Sequence, residues 1–526
     1  MMKYPIGVQS FEKLRQGGFV YVDKTDLVYK LAKGNTYFLA RPRRFGKSLL
    51  LSTLKCYFEG RRDLFEGLKI MDLEQEWQKY PVVTFDFNGV MLSAPQGLLS
   101  YLTSVVERTE QVYGIIPDVV SDVAQRFRHL IECLHRQTGQ RVVVLIDEYD
   151  KPLLDLMETG NPGDESLMAG NRSLLKSFFS TFKAADDHLR FVMLTGITKF
   201  SQVSMFSGFN QPDVISLDAR YDILLGITEQ ELYSVFAESI RELADAWQKN
   251  EAEVKQMLKA RYDGYHFSER MIDVYNPFSL INAFAKLQLK DYWFTSGTPS
   301  YLVRLLGKSQ EDIMKYTQQE YVVDEFINYK ADTAKPLPMI FQAGYLTIKS
   351  FDADFESYRL DFPNQEVKLG LLTLLANNYL QTDDSTSYWV MNIVKALRVA
   401  DLEQVRRLFT DFLAETPYSM RPKKDQKDRE LYFHYTFYLL MRLISCYTVY
   451  TEKQLSEGRA DCIVETPQYV YIFEFKLDGT ADEALSQVRD RGYAKAYEAD
   501  SRPIYIIGAS FSSKTGTIEE WKADRP

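Results

Sequence analysis

The sequence predicts an α/β chain with a doubly wound parallel sheet, a mostly helical middle region and a smaller α/β region at the carboxyl end. Three observations lead to this fold class. Apolar runs alternate with helical patterns in the first third, the strand signal fades after about Gly226, and strand patterns return after residue 420. Runs that are apolar throughout are typical of strands covered on both faces, and their alternation with helices is typical of parallel sheets.

The predicted elements follow this order along the chain. The strands of the first sheet are Thr36 to Ala40, Val82 to Phe87, Val142 to Asp147 and Phe191 to Gly196, and the helices between them include Ser48 to Phe58 and Leu98 to Tyr113. In the middle, Asn250 with Glu253 resembles a capping box, and Asn276-Pro277 and Thr298-Pro299 place an N-cap before a proline. We therefore expect three domains: an α/β domain at 1–225, a mostly helical lid or linker region at 226–420 and a second α/β domain at 421–526.

Composition excludes several classes of protein. The chain has 526 residues, 45% of them hydrophobic and 14% aromatic, which is too apolar for a disordered chain. A net charge of −9 excludes a polybasic coat protein, and four cysteines without a CxxC pair support neither a disulfide framework nor a zinc ribbon. No apolar run approaches the roughly 18 residues of a membrane span. We expect a cytoplasmic protein without a membrane anchor.

A phosphate site is predicted directly after the first strand. Residues 41–48 read RPRRFGKS and lead into a helical run, and residues 1–72 carry 14 basic and seven acidic side chains, a net charge of +7. Glycine lets backbone amides curl around phosphate oxygens, Lys47 would reach the outer phosphates, and the Ser48 hydroxyl would bind Mg²⁺ at a helix N-terminus. Arg41 stands where the full GxxxxGK[ST] pattern has glycine, which leaves the loop geometry open.

The strand VVVLID supplies the second half of this site. It ends in Asp147 and Glu148, which suit Mg²⁺ organisation and polarisation of the attacking water. Thr195, Thr198 or Ser201, after the next strand, could sense the γ-phosphate. The predicted nucleotide contacts are Arg44, Phe45, Gly46, Lys47, Ser48, Leu49 and Asp147, with Ser48 and Asp147 also as metal ligands and Glu148 as the catalytic carboxylate. Arg43 and Arg44 could equally be docking or solvated charges.

A second constellation lies near the carboxyl end. GRADCIVE and YVYIFEFK read as two strands around the turn Thr466-Pro467-Gln468, so that paired residue numbers sum to about 934 or 935. Asp461 then faces Phe473 or Glu474, while Glu474 and Lys476 share one face of their strand. Two carboxylates and an amine suit Mg²⁺-dependent hydrolysis of a phosphodiester. Gln487 could brace the site from the following helix, Glu430 and His434 could add to it from upstream, and a plain surface hairpin is the alternative.

These motifs together resemble the bacterial and archaeal AAA-ATPase-like proteins with a C-terminal domain of the PD-(D/E)XK nuclease superfamily. The resemblance rests on YPIGVQSFEKLR, GFVYVDKT, RPRRFGKSL, VVVLIDEYD, LTGITKFS, DGYHF, YNPFSL, GRADCIVE and FEFK. It implies a P-loop NTPase domain and a restriction-endonuclease-like domain, with ATP and Mg²⁺ as cofactors. It also implies that Arg41 is the usual residue of this family, and that Asp461, Glu474, Lys476 and Gln487 form the nuclease site, with the two carboxylates as metal ligands.

We therefore expect an ATPase whose nucleotide state regulates a Mg²⁺-dependent nuclease acting on nucleic acid, DNA before RNA. The alternative is a nucleotide-switched interaction or scaffold protein with little or no nuclease turnover. A homo-oligomer is possible, with Arg190 and Arg220 as candidate arginine fingers. No chemistry is assigned to the middle region, where DGYHF and YNPFSL read as packing at helix boundaries.

Overall fold

The structure is a computed structural model of the chain. It describes residues 2–88, 94, 96–117, 122–159, 164–199, 212–297, 302, 316–317, 319–328, 336–380, 385–415, 441, 448–455, 458–498 and 500–525. The chain forms two compact units, Met1–Lys368 and Leu369–Pro526. The predicted boundaries at 225/226 and 420/421 stay predictions, and the second of them falls outside the described residues.

The first unit contains the predicted parallel sheet, which is confirmed. Its strands are β1 (Thr36–Ala40), β2 (Val82–Asp86), β3 (Val142–Asp147), β4 (Leu189–Gly196) and β5 (Asp213–Val214). Their order is β2-β3-β4-β1-β5, and every neighbouring pair is parallel. The ends of β1 and β3 therefore lie on either side of the end of β4, at one edge of the sheet.

Helices cover both faces of this sheet. They are α1 (Phe11–Gln16), α2 (Thr25–Ala32), α3 (Lys47–Phe58), α4 (Gly97–Tyr113), α5 (Val123–Thr138), α6 (Lys151–Thr159) and α7 (Asp164–Ala184). On one face, α3 packs against the β3 and β4 side chains Val143, Leu145 and Met193. On the other face, Phe85 of β2 contacts the rings of Phe127 and Phe178. This two-sided burial explains the continuous apolar runs of the strands.

The rest of the first unit is mostly helical, as predicted. Its elements are β6 (Ile227–Thr228), α8 (Glu229–Val235), α9 (Ala237–Trp247), α10 (Glu251–Tyr262), β7 (Val274–Tyr275), α11 (Pro277–Lys286), α12 (Tyr292–Gly297), β8 (Glu320–Val322), α13 (Val323–Ile327), α14 (Leu337–Gln342), β9 (Thr347–Asp352) and β10 (Ser357–Asp361). Asn250 and Glu253 form the predicted capping box, and Asn276 caps α11 with proline at N1. The antiparallel sheet β8-β10-β9 was not predicted, and Thr298-Pro299 lies outside the described residues.

Helix α15 (Gln365–Leu380) leads into the second unit, which contains a mixed sheet. Its further elements are α16 (Ser385–Arg398), α17 (Leu402–Glu415), β11 (Thr448–Leu455), β12 (Gly458–Glu465), β13 (Val470–Leu477), α18 (Ala481–Asp490), β14 (Ile504–Phe511) and β15 (Ile518–Asp524). The order is β11-β12-β13-β14-β15, with β13 and β14 parallel and the other pairs antiparallel. This agrees with the predicted α/β fold, to which the structure adds the flanking strands β11 and β15.

Short 3₁₀ turns punctuate both units, at Arg62–Phe65, Lys69–Asp72, Asp186–His188, Ile215–Leu217 and Tyr493–Tyr497. The last of these turns follows α18, which ends at Asp490. Gly492 then adopts a left-handed conformation (φ +57°), which a continuing helix cannot accommodate. None of the helices in the described ranges combines the length and apolar character that crossing a bilayer requires.

Candidate functional site

The loop between β1 and α3 has the backbone of an anion-binding turn. Arg44 (φ +65°) and Gly46 (φ +95°) are left-handed, while Lys47 begins α3. Such alternation turns successive N–H groups toward one point, and the helix N-terminus adds its positive end. Gly46 is the N-cap and offers no side-chain capping bond, so that the first-turn amides of α3 can bind an anion. Ser48 lies half-buried in this first turn.

Lys47 is a buried cation whose ammonium group is bound by backbone carbonyl oxygens. Its side chain is 6% exposed, and Nζ donates to the carbonyl oxygens of Arg41 (2.9 Å) and Pro42 (3.0 Å). Among the described residues, no carboxylate lies within the 4.0 Å of an ion pair with it. Burial lowers the pKa of Lys47, and the carboxylates of Glu148 and Asp147 oppose this shift from a greater distance. A bound phosphate would place negative charge next to this ammonium group, so these residues fit the phosphates of a nucleotide such as ATP.

The predicted acidic pair lies at the end of β3. Asp147 Oδ1 accepts hydrogen bonds from the Thr195 hydroxyl (2.6 Å) and from the N–H of Glu148 (3.1 Å). Glu148 has a left-handed backbone (φ +51°), which is strained for a residue with a side chain. Burial raises the pKa of Glu148, and the nearby Lys47 lowers it. Both features are typical of functional carboxylates.

Asp150 is a residue of this site that the sequence reasoning missed. It is 1% exposed, and Oδ2 accepts from the N–H groups of Ile197 (2.9 Å) and Thr198 (2.7 Å) and from the Thr198 hydroxyl (2.8 Å). Burial raises its pKa, against these hydrogen bonds. Asp150 thus ties the turn after Glu148 to the end of β4. The only signal in the sequence is a second aspartate three positions after Asp147.

Arg41, the departure from the full P-loop pattern, does not point toward the phosphate site. Its side chain is 2% exposed, donates to the carbonyl oxygens of Ser216 and Ala40, and lies over the ring of Phe267 at 4.0 Å. Burial lowers its pKa to about 9. The loop therefore accommodates an arginine at the first position because the guanidinium is directed into the protein.

The remaining predicted residues of this site have different surroundings. Arg44 is exposed, Phe45 is buried to 1% exposure, and Leu49 is half-buried on α3. Arg190 donates to the carbonyl oxygens of Gly34 and Ala32 at the opposite end of β4, and Arg220 is ion-paired with two aspartates. Both candidate arginine fingers therefore have partners within the first unit. Ser201 lies outside the described residues.

In the second unit, the strand register brings the predicted carboxylates together. Cys462 pairs with Phe473 and Ile463 with Ile472, so paired numbers sum to 935 and Asp461 falls level with Glu474. The N–H of Asp461 lies 3.4 Å from Glu474 Oε2, and Asp461 Oδ2 accepts from the N–H of Phe475 (2.9 Å). This is one of the two predicted registers.

Lys476 and Gln487 complete one hydrogen-bonded group. Gln487, on α18, donates to Glu474 Oε1 and accepts from Lys476 Nζ (2.6 Å), while Nζ lies 3.9 Å from Glu474 Oε1. Glu474 is 2% exposed. Burial raises its pKa, the neighbouring Asp461 raises it further, and Lys476 opposes both. All four predicted residues thus lie at one place.

The donor set of this group suits a hard cation. Two carboxylates held close together repel each other in a buried site, and a divalent cation between them would remove that repulsion. Mg²⁺ prefers such oxygen ligands and keeps several waters. No cluster of three or more His, Cys, Asp and Glu side chains arranged for a metal occurs in the part of the chain that the structure describes. Glu430 and His434, predicted to contribute, lie outside that part.

Comparison with known proteins finds one family match in each part of the chain that carries a candidate site. The family described as "Predicted AAA-ATPase" matches residues 5–206, and the PD-(D/E)XK nuclease superfamily matches residues 428–521. The "uncharacterized protein in vnfD 5′ region" of Azotobacter chroococcum mcd 1 is 36% identical over 523 residues, which cover 98% of each chain.

Solved structures resemble the chain only distantly. The Aeropyrum pernix ORC1 protein in complex with DNA is 10% identical, with 68% of this chain and 93% of that chain covered and a TM-score of 0.24. For the Aeropyrum pernix ORC2 protein (ADPNP-ADP complexes) the values are 12%, 67%, 92% and 0.26. TM-scores of this size carry no inference about function. On the full-length relative and the two domain matches, the chain belongs to the family of AAA-ATPase-like proteins with a C-terminal PD-(D/E)XK nuclease superfamily domain.

Proposed function

We propose that the protein is an ATP-binding and ATP-hydrolysing P-loop NTPase whose nucleotide state regulates a C-terminal, Mg²⁺-dependent nuclease acting on DNA. The observation that carries the proposal is the convergence of Asp461, Glu474, Lys476 and Gln487 in one hydrogen-bonded group. A surface hairpin with a chance Glu-Lys pair would leave the glutamate exposed, whereas Glu474 is 2% exposed.

Each residue of the nuclease group has a chemical role in this proposal. Asp461 and Glu474 would hold Mg²⁺, which acidifies a bound water and binds the scissile phosphate. Lys476, whose Nζ lies 3.9 Å from Glu474, would orient the nucleophile or stabilise the charge that develops on the phosphate. Gln487 keeps Lys476 and Glu474 in fixed positions through its amide.

The nucleotide site has a matching division of roles. Lys47 would move from the carbonyl oxygens of Arg41 and Pro42 to the β- and γ-phosphates, and the first-turn amides of α3 would bind the phosphate oxygens. Ser48 and Asp147 would hold the Mg²⁺ of the nucleotide. Glu148, whose pKa is raised by burial, would polarise the attacking water.

The two activities can be tested separately with purified protein. Cleavage of linear, circular and single-stranded DNA, and of RNA, is measured with Mg²⁺ or Mn²⁺, with and without ATP, alongside a Glu474→Ala, Lys476→Ala double variant. ATP binding and phosphate release are measured with the parent and with Lys47→Ala. We expect metal-dependent cleavage that the double variant loses, and ATP binding that Lys47→Ala loses.

The outcomes separate this proposal from its rival. ATP binding by Lys47→Ala equal to that of the parent would overturn the nucleotide site. Cleavage that persists in the double variant would overturn the nuclease site. If no substrate is cleaved while ATP is bound and phosphate release stops at one turnover or fewer, the protein is a nucleotide-switched interaction protein instead.

A further inference from the structure

The phosphate loop, residues 41–48, is contacted by residues from the middle region of the first unit. Each of the five residues from Arg41 to Phe45 contacts a residue between 265 and 345. The guanidinium groups of Arg41 and Arg44 lie over the rings of Phe267 (4.0 Å) and Phe278 (5.0 Å). Pro42 lies so close to Gly344 that a Cβ atom added to this glycine would be 2.6 Å from Pro42 Cγ, and the carbonyl oxygen of Arg43 accepts a hydrogen bond from Trp293. Phe45 packs edge-on against Tyr265 (4.8 Å) and Phe267 (5.4 Å).

Among these contacts, the one made by Trp293 is directional. Its indole Nε1–H donates to the carbonyl oxygen of Arg43 at 2.9 Å, across 250 positions of sequence. Arg43 directly precedes the left-handed Arg44, where the loop begins to turn its amides inward. A hydrogen bond at this carbonyl therefore fixes the peptide plane that sets the direction of the Arg44 N–H.

Trp293 is itself held in place. The residue is 1% exposed, and its backbone N–H donates to Glu366 Oε1 (2.7 Å) and to the Ser279 hydroxyl (3.1 Å). The Ser279 hydroxyl in turn donates to Glu366 Oε2 at 2.7 Å. The ring packs against Tyr345 at 5.3 Å between centroids. The donor that reaches the loop is thus rigid, which a positioning group requires.

We infer that Trp293 is a positioning residue of the phosphate loop, and that the loop keeps its anion-binding shape through the middle region. A full P-loop begins with glycine, but here Arg41 occupies that position and its side chain is directed away into the protein. In a full P-loop, the conformational freedom of glycine permits this loop shape. Here contacts such as the hydrogen bond from Trp293 to Arg43 impose it. This assigns DGYHF and YNPFSL to the nucleotide site, and it rests on the proposed nucleotide binding.

The test compares two tryptophans in the same unit. Trp293→Phe keeps an aromatic ring and removes the N–H donor. Trp247→Phe is the matched control, because Trp247 Nε1 also donates to a backbone carbonyl at 2.9 Å, that of Leu287, away from the loop. The first readout is hydrogen exchange of the amides at residues 43–48 without nucleotide, with the amides of β3 as an internal check of folding. The second is the steady-state rate of ATP hydrolysis.

We expect Trp293→Phe to speed exchange in the loop and to leave β3 unchanged. It should raise KM for ATP about 3- to 10-fold, the value of one hydrogen bond, with little change in kcat. Trp247→Phe should match the parent in both readouts. Phe278→Leu, at a half-buried position, should also speed exchange at Arg44 and Phe45, which keeps the test valid if Trp293→Phe folds poorly.

The inference is overturned if the loop amides of Trp293→Phe and Phe278→Leu exchange hydrogen at the same rate as those of the parent. An increase of KM in Trp247→Phe as large as that in Trp293→Phe would overturn it too. If the parent binds no ATP, the proposed function fails, but the exchange readout needs no nucleotide and still decides whether the middle region holds the loop.

Discussion

Replacing Arg41 by glycine, which would complete the P-loop pattern, should destabilise the first unit instead of improving the loop. The guanidinium is 2% exposed and donates to the carbonyl oxygens of Ser216 and Ala40, with Tyr221 O at 3.5 Å. It also lies 4.0 Å from the ring centroid of Phe267. Arg41→Gly removes all of these interactions at once.

The magnitude follows from the separate contributions. Leaving the Ser216 carbonyl without its donor costs about 1–3 kcal/mol. Loss of the contact with Phe267 costs about 1–2 kcal/mol, and glycine adds about 0.5–1 kcal/mol of chain entropy to the unfolded state. Burying a cation is unfavourable, as the pKa of about 9 indicates, and removing the charge offsets part of the loss. We expect the free energy of unfolding of the first unit to decrease by about 2–4 kcal/mol in Arg41→Gly and by about half of that in Arg41→Met, which keeps the packing.

Hydrogen exchange of the β1 amides in increasing urea measures this loss, because it reports the unfolding of the first unit separately from that of the second. ATP affinity is measured on the same proteins. The reasoning is refuted if Arg41→Gly is as stable as the parent, and still more directly if it is stable and binds ATP more tightly, since Arg41 would then be a defect of the loop and not a structural residue.

Three further predictions follow from the two sites. Glu148→Gln should abolish multiple-turnover phosphate release while ATP affinity, measured by titration, stays within about threefold, because the carboxylate acts on water and not on the phosphates. Gln487→Ala should lower the rate of DNA cleavage about 10- to 100-fold with circular dichroism unchanged, because Glu474 and Lys476 lose their shared partner. The pKa of buried Glu366 is raised to about 7, so its stabilising contribution is complete below about pH 4 and is lost as the pH rises to about 7. The free energy of unfolding of the first unit, measured in urea, should therefore fall by up to about 3 kcal/mol from pH 5 to pH 8 in the parent and by less in Glu366→Gln. Equal pH profiles of the two proteins would contradict this.

Local patterns predicted the elements that carry the chemistry. The position of one turn limited the register to two choices, with Asp461 level with Phe473 or with Glu474, and the structure has the second. A one-residue slip exchanges the two faces of a strand, so this choice decides whether the carboxylates meet. The step from β1 through the loop to α3 followed from the apolar run and the Gly-Lys-Ser sequence. Both signals lie within about a dozen residues of the side chains concerned.

The contacts that hold these elements in place could not be predicted. Trp293 lies 250 positions from the carbonyl it binds, and Asp150 meets Thr198 across 48 positions. Periodicity carries no information on such partners. The strands β9 (TIKSFD) and β15 (IEEWKAD) were missed because they are largely polar, so they lack the apolar run that marked β1 to β4. In β15 most of the side chains are also exposed.

The central claim is that the nucleotide site regulates a nuclease built on Asp461, Glu474 and Lys476. The most direct test measures DNA cleavage with Mg²⁺, with and without ATP, for the parent, Lys47→Ala, Glu474→Ala and the variant with both changes. We predict that ATP alters cleavage by the parent, that Lys47→Ala cleaves at a rate independent of ATP, and that both variants with Glu474→Ala do not cleave although Glu474→Ala alone still hydrolyses ATP. An equal ATP effect in the parent and in Lys47→Ala, or cleavage that survives Glu474→Ala, would contradict the account.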